Sequence, residues 1–161
     1  MTIETRRDMF ERELQKLYHA EIEILDLHGD LSAAAASEEV KELFRGHEED
    51  TVAQIHRIES IFALLGEAPS ERGSAIMEGL LAEKDEFVDE VANDDLRDLD
   101  AISIGMINER LEITLLDRLI LLARELDLPD EVAERFAENR DEARAALDRM
   151  QRFVAETRPG E

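Results

Sequence analysis

The chain has 161 residues, no cysteine, and 41 acidic against 19 basic side chains, a formal net charge of −22. That length fits one domain, residues 1–161, with a sizeable core. The charge argues against nucleic acid and anionic membrane surfaces, which need basic patches, and the absence of cysteine excludes disulfides and thiolate metal sites.

Alanine, leucine, glutamate, arginine and aspartate dominate, and no run of β-branched residues alternates with polar ones, so the predicted fold is all-α. The excess of acid resembles the surfaces of proteins from salt-loving organisms. No apolar run approaches the roughly 20 residues of a membrane span. The start, MTIETRRDMFEREL, lacks a signal-peptide core. A cytoplasmic protein is the expectation.

The first predicted helix runs from about Thr5 to Leu31, with the stripe Phe10, Leu14, Leu17, Glu21, Ile24, His28, Leu31 at alternating spacings of four and three. Two polar residues, Glu21 and His28, interrupt an otherwise apolar seam. Gly29 and Asp30 are expected to loosen its end, with SAAAAS as the linker and Ser37 as the next N-cap. The second helix is predicted from Glu38 to Leu65, ended by Gly66. Its seam is Val40, Phe44, His47, Thr51, Gln54, Ile58, Ile61, Leu65, polar in the middle and flanked there by Asp50. Antiparallel pairing across the short linker brings His28 near His47, and Glu21 near Asp50 and Gln54.

GEAPSERGS is a loop. A short helix follows, about Ser74 to Val91, with Ile76, Met77, Leu80, Leu81, Phe87 and Val88 as apolar positions and Lys84 as an interruption. Its pattern suits a cover on a bundle. VANDDLRD reads as a linker. The stretch Leu99 to Leu126 is a long helix with Ile102, Met106, Glu109, Ile113, Leu116, Ile120 and Ala123 on one face and Glu112 beside it. Ionised carboxylates on a core face cost several kcal/mol unless a metal, a cation or hydrogen bonds compensate them. Pro129 suits the start of the last helix, Asp130 to Glu156, whose stripe is Val132, Phe136, Asn139, Ala143, Ala146 with Leu147, Met150 and Phe153. The tail TRPGE is expected to fray.

Two hairpins joined by a long connection make a four-helix bundle with a long crossover and one short additional helix, the ferritin-like connectivity. A plain up-down-up-down bundle is the alternative. Apolar residues off the seams, Ile22, Leu25, Leu27, Leu115 and Leu122, predict a second buried face and hence a symmetric homodimer.

Four segments, in order, carry a resemblance. LYHAEIEIL resembles L-Y-x-A-E-x-x-L; HEEDTVAQIHRIE resembles H-x-E-E-T-x-x-Q-I-x-R-I; IMEGLLAE resembles A-M-E-G-L-I-x-E; and LRDLDAISIGMINERLEI resembles R-D-x-x-x-I-x-x-x-Q-x-V-E-H-Y-E-I. Together they resemble the YciE/YciF-like ferritin-like family across nearly the whole chain. The resemblance implies a stress-associated bacterial protein, dimeric, with a carboxylate metal site of dimetal type in its bundle. It places Glu21, Glu109 and Glu112 on family glutamates and Asp50 in place of one. This chain departs from the family in three ways. The fourth-bundle-helix motif E-E-E-K-A-T-D reads DEARAAL, so Ala143 and Leu147 replace carboxylates, and the third-bundle-helix histidine is Arg110.

Glu21, Asp50, Glu109 and Glu112, with Gln54 or a water, suit one cation such as iron or manganese. The competing reading is a salt-bridged layer in which Arg110, Arg140 or Arg144 pairs Glu109 or Glu112. His28 and His47 either supply nitrogen ligands one turn away or, as we prefer from the sequence, hydrogen-bond to each other or to Glu49. No phosphate loop, catalytic triad or dinucleotide fingerprint is present. The function is therefore metal binding in a ferritin-like bundle or, if the site has decayed, a structural or partner-binding role.

Overall fold

The computed structural model describes residues 2–157; positions 158–161 of the tail expected to fray lie outside them. Five helices follow in order: α1 (Arg6–Ala34), α2 (Glu38–Leu64), α3 (Ala75–Glu90), α4 (Asp94–Glu125) and α5 (Asp130–Glu156). No strand occurs among the described residues.

Caps explain most of the boundaries. Thr5 and Asp8 form a reciprocal capping box at α1. Ser37, Ser74 and Asn93 each accept a hydrogen bond from a backbone N–H in the first turn of the helix they precede. Asn93 is why α4 begins earlier than the linker reading of VANDDLRD: a cap followed by Asp94 and Asp95 favours a helix N-terminus. α1 likewise continues past Gly29 to Ala34, because Leu31, Ser32 and Ala34 are buried there. Gly66, at φ +73°, ends α2 in the left-handed conformation glycine tolerates best.

Core residues fix the direction of each helix. At one end Phe10, Leu14 and Leu17 of α1 meet Ile58, Ile61 and Phe62 of α2, Leu116 to Ala123 of α4, and Val132 and Phe136 of α5. At the other end Ile24 to Ala35 meet Val40 and Phe44, Ala101 to Ile104, and Met150. α2 and α4 therefore run parallel, and the chain between them returns along the bundle. It climbs beside α1, where Gln15 Nε2 donates to Ser70 Oγ and Arg72 N donates to Gln15 O. α3 then lies over the second apolar end through Met77, Leu80 and Phe87. This is the long-crossover arrangement, not the simple up-and-down one.

Some expected positions shift by a turn or less. Gly105 and Asn108, not Met106, occupy the α4 seam, and Met106 and Ile113 are half-buried. On α3, Ile76 and Val88 are exposed, whereas Lys84 is buried and paired with Asp30 and Asp85, both at 2.7 Å. Leu27 and Leu122, read as a second face, are buried within the chain's own core, and Ile22, Leu25 and Leu115 are half-buried. Asp98 fastens the α1–α2 turn by accepting from the backbone N–H groups of Ala36 and Ser37 at 2.7 and 3.2 Å.

Gly105 is where α4 approaches α2 and α5 most tightly. A Cβ there would lie 2.9 Å from Phe44 Cε1 and 3.0 Å from Met150 Sδ, so Ala overpacks the core. Gly46 has open space around its Cα. Gly105→Ala should therefore lower stability by about 1 kcal/mol or more despite its gain in helix propensity, and Gly46→Ala should raise it by about 1 kcal/mol. Denaturant melts of the two variants, compared in midpoint, check both signs.

Candidate metal centre

Between the two apolar ends the bundle carries a polar layer. Its buried members are Glu21 and His28 from α1, His47, Thr51 and Gln54 from α2, Asn108, Glu109 and Glu112 from α4, and Asn139 from α5. They are interior because they occupy seam positions of long amphipathic helices whose ends are locked by the apolar clusters. Glu21, Glu109 and Glu112 expose 3% of their surface or less.

Glu112 stands between the other two and within hydrogen-bonding reach of both. Burial, then the neighbouring Glu112, push Glu21 and Glu109 well above the ordinary carboxylate range. Burial also raises Glu112, but hydrogen bonds from Glu21 and Glu109 pull it back down. Burial and mutual proximity thus disfavour ionising all three at once, and the hydrogen bonds it accepts make Glu112 the best placed to carry negative charge. Asn108 Nδ2 donates to Glu112 at 3.4 Å. Glu21 Oε2 has no hydrogen-bond donor within reach.

The histidines lie one layer along. Their rings meet edge to face with centroids 5.3 Å apart, and His28 stacks on Phe44. Nδ1 of each is buried without a hydrogen-bond partner. The expected bond from either to Glu49 is absent, because Glu49 points to solvent. Burial, then the other imidazole, lowers His28 to about 3; burial, then the Arg149 guanidinium, lowers His47 to about 4. Both rings are neutral at physiological pH and present lone pairs. One nitrogen of each and one oxygen of Glu109 lie within 4.8 Å of one another. A cavity of about 10 Å³ is lined by these three with Asp50, Thr51, Gln54, Glu112, Glu142 and Ala146. That is room for about one water or ion.

The other candidate residues line or flank this cavity less directly. Asp50 is half-exposed, raised by burial and by Glu142, and stands 3.9 Å from Arg149. Gln54 donates its amide to Glu142 at 3.0 Å, and Arg57 ties Glu142 to Asn139. Ala143 is buried and Leu147 half-buried, so α5 offers no carboxylate at either of those positions. The salt-bridged reading does not match the arginines: Arg110 is exposed, and Arg140 and Arg144 pair with Asp117. Glu13, buried in α1 and held by Arg12 and Arg118, shows what a neutralised carboxylate looks like in this chain.

The donor set fits a metal ion. It offers an unpartnered buried nitrogen on each of two imidazoles and the carboxyls of Glu109 and Glu112 around a one-ion cavity, with no salt bridge to Glu21, Glu109 or Glu112 among the described residues. Sequence reasoning placed Asn108 nowhere and named Asn139 only as part of a stripe. Their signal was an amide at a seam position, the same signal that marked Gln54.

Parallel α2 and α4, a crossover carrying α3, and a carboxylate layer in mid-bundle define a ferritin-like helical bundle. The sequence matches the family described as Domain of unknown function (DUF892) over residues 5–159, and the chain belongs to that family. It is 28% identical to protein YciF of Escherichia coli K12 over 127 residues, covering 78% of this chain and 76% of that protein. Among solved structures it superposes on YcfI from Rhodopseudomonas palustris with a TM-score of 0.89 at 28% identity, covering 92% of this chain and 94% of that one. The E. coli stress protein YciF superposes equally well, TM-score 0.89 at 24% identity, over 96% of this chain and 100% of that one. The resemblance read from the four motifs is thus borne out, as is the all-α fold.

The depressed imidazoles set a pH dependence. An unfolded histidine takes up its proton near pH 6.5, whereas folded His28 resists it down to about 3. At His28 the unfolded chain therefore binds more protons as pH falls below 6.5, a contribution that lowers stability; His47 acts in the same sense, and the raised Glu21 and Glu109, which hold protons more tightly folded than unfolded, act in the opposite one. In chelator-treated protein, His28→Leu should remove the His28 share, making the stability change from pH 6.5 to 5 more favourable than in wild type by about 2 kcal/mol. Urea melts of wild type and His28→Leu at the two pH values check it.

Proposed function

We propose that this protein takes up a divalent transition-metal ion, iron or manganese, inside its bundle, with donors drawn from Glu21, Asp50, Gln54, Glu109 and Glu112. The observation that supports this most is the buried trio Glu21, Glu109 and Glu112, with Glu112 within hydrogen-bonding reach of both others and no salt bridge to any of the three among the described residues. A cation discharges their repulsion and accepts the lone pairs that are left without donors. Solved relatives of the same fold include a protein described as a stress protein, and we place this chain in the same setting.

The same reading includes a homodimer. Ile107 and Leu121 stay more than half exposed on the outer side of α4, beside half-buried Leu111 and Leu115. A face of this kind favours a symmetric self-contact. Light scattering in high salt should give twice the monomer mass; a monomer there would refute the dimer. High salt is the fair condition because it screens the charge of −22.

Adding manganese, or ferrous iron without oxygen, should raise the melting temperature, because the ion binds only the folded bundle. The gain is about 2.7 kcal/mol when free ion is at 100 times its Kd. Glu109→Gln should abolish the rise while leaving the metal-free bundle as stable or more so. Equal shifts in both proteins would assign the cation to the acidic surface, and no shift in wild type would leave the polar layer a structural feature of a partner-binding bundle.

A further inference from the structure

The geometry points to a single-ion site built by His28, His47 and Glu109, one residue from each of α1, α2 and α4, for a first-row divalent cation that accepts imidazole nitrogen. It rests on the interior-cation reading above and narrows it: of the carboxylates named there, Glu109 alone binds the ion directly alongside two histidines.

Four observations carry the assignment. The donor atoms of the three residues already lie within 4.8 Å of one another, and all three residues are buried. Donors sharing an ion at about 2.1 Å stand no more than about 4.2 Å apart, so small side-chain rotations suffice. Each imidazole has a buried Nδ1 with no hydrogen-bond partner. A buried polar atom left unsatisfied destabilises the fold, and a ring that merely fills a core has no need of one. The cavity bounded by the three residues has room for about one ion, about 10 Å³, whereas paired metals sit about 3.5–4 Å apart and need more space. Finally, of the two α5 residues lining the cavity, Ala146 offers no side-chain donor and the Glu142 carboxylate is taken up by Gln54 and Arg57.

The chemistry of the donors sets the class of ion. Two imidazoles and one carboxylate with coordination positions left over suit ferrous iron, cobalt or zinc. Magnesium and calcium prefer all-oxygen shells and would gain little from the histidines. Glu21 does not line the cavity. It reaches Glu112, and Glu112 reaches Glu109, so these two act as the hydrogen-bonded support behind the ligating carboxylate. α1 thus contributes a support residue and, two turns on, a ligand.

The test uses cobalt as the probe. Chelator-treated protein is titrated with cobalt chloride, and the bound ion is examined by X-ray absorption, whose outer-shell scattering counts imidazoles. The expected result is one ion per chain with two imidazoles, falling to one in His28→Leu together with an affinity loss of at least about tenfold, the loss typical even of a supporting residue. Circular dichroism confirms that the variant is folded, and the wild-type imidazole count stands without it. An all-oxygen shell, or two ions per chain in the interior, would overturn this assignment while leaving interior cation binding in place. No cobalt, manganese or iron bound inside wild type would overturn both.

Discussion

Removing three carboxyls and two imidazoles from water in the middle of a helical bundle is the constraint on which the rest of the structure depends. Each group loses hydration worth several kcal/mol, and no arginine or lysine among the described residues lies against the three carboxyls to replace it. The interior is consequently divided into two apolar clusters with the polar layer between them. Those clusters must stabilise the fold without help from its centre. They do so with fully buried phenylalanines at both ends, Phe10, Phe62 and Phe136 at one and Phe44 at the other, each contributing about 1.5–3 kcal/mol.

The few basic residues are placed where they hold the architecture together. Lys84 joins α3 to α1 through Asp30, and Arg97 donates to the carbonyls of Ala34 and Val91, finishing the ends of α1 and α3. Arg57 links α2 to α5 through Glu138, Asn139 and Glu142. Against a charge of −22, these contacts leave the crossover and the fourth bundle helix seated while most of the acid faces solvent. Arg149, half-exposed beside His47 and Asp50, and Arg57, held on Glu142, are cationic side chains that reach the lining of the cavity.

Helix existence, order and connectivity were legible in the residues because the three-and-four spacing persists over long segments, and α5 begins and ends at the predicted Asp130 and Glu156. Boundaries shifted where a local cue competed with burial: the end expected at Leu31, loosened by Gly29 and Asp30, lies at Ala34, because Leu31, Ser32 and Ala34 are buried. The α4 face failed by one residue because Gly105 was overlooked as a seam position; only the closeness of Phe44 and Met150 reveals that no larger residue fits. For the site, hairpin counting brought Glu21, Glu109 and Glu112 to one level, and the structure brings them into contact. It could not distinguish Asp50, which leans outward, from a buried ligand, because a position flanking a seam turns either way with small changes in helix rotation. The histidines were paired correctly, but their orientation toward Glu109 depends on the ring of Phe44 stacked against His28, a tertiary contact with no sequence signature.

With Ala143 and Ala146 on the buried face of α5 and Glu142 held by Arg57, the buried glutamates of α1 and α4 receive no charge compensation from α5. In the reading proposed above, the histidine pair supplies the further donors, at the His28 end of the layer. The most direct measurement is an anomalous difference map from a crystal grown with manganese and recorded above its absorption edge. The account predicts one interior peak in contact with Glu109, in the cavity bounded by His28, His47 and Glu112. Peaks confined to the acidic surface, with the interior carboxyls bonded only to one another, would contradict it.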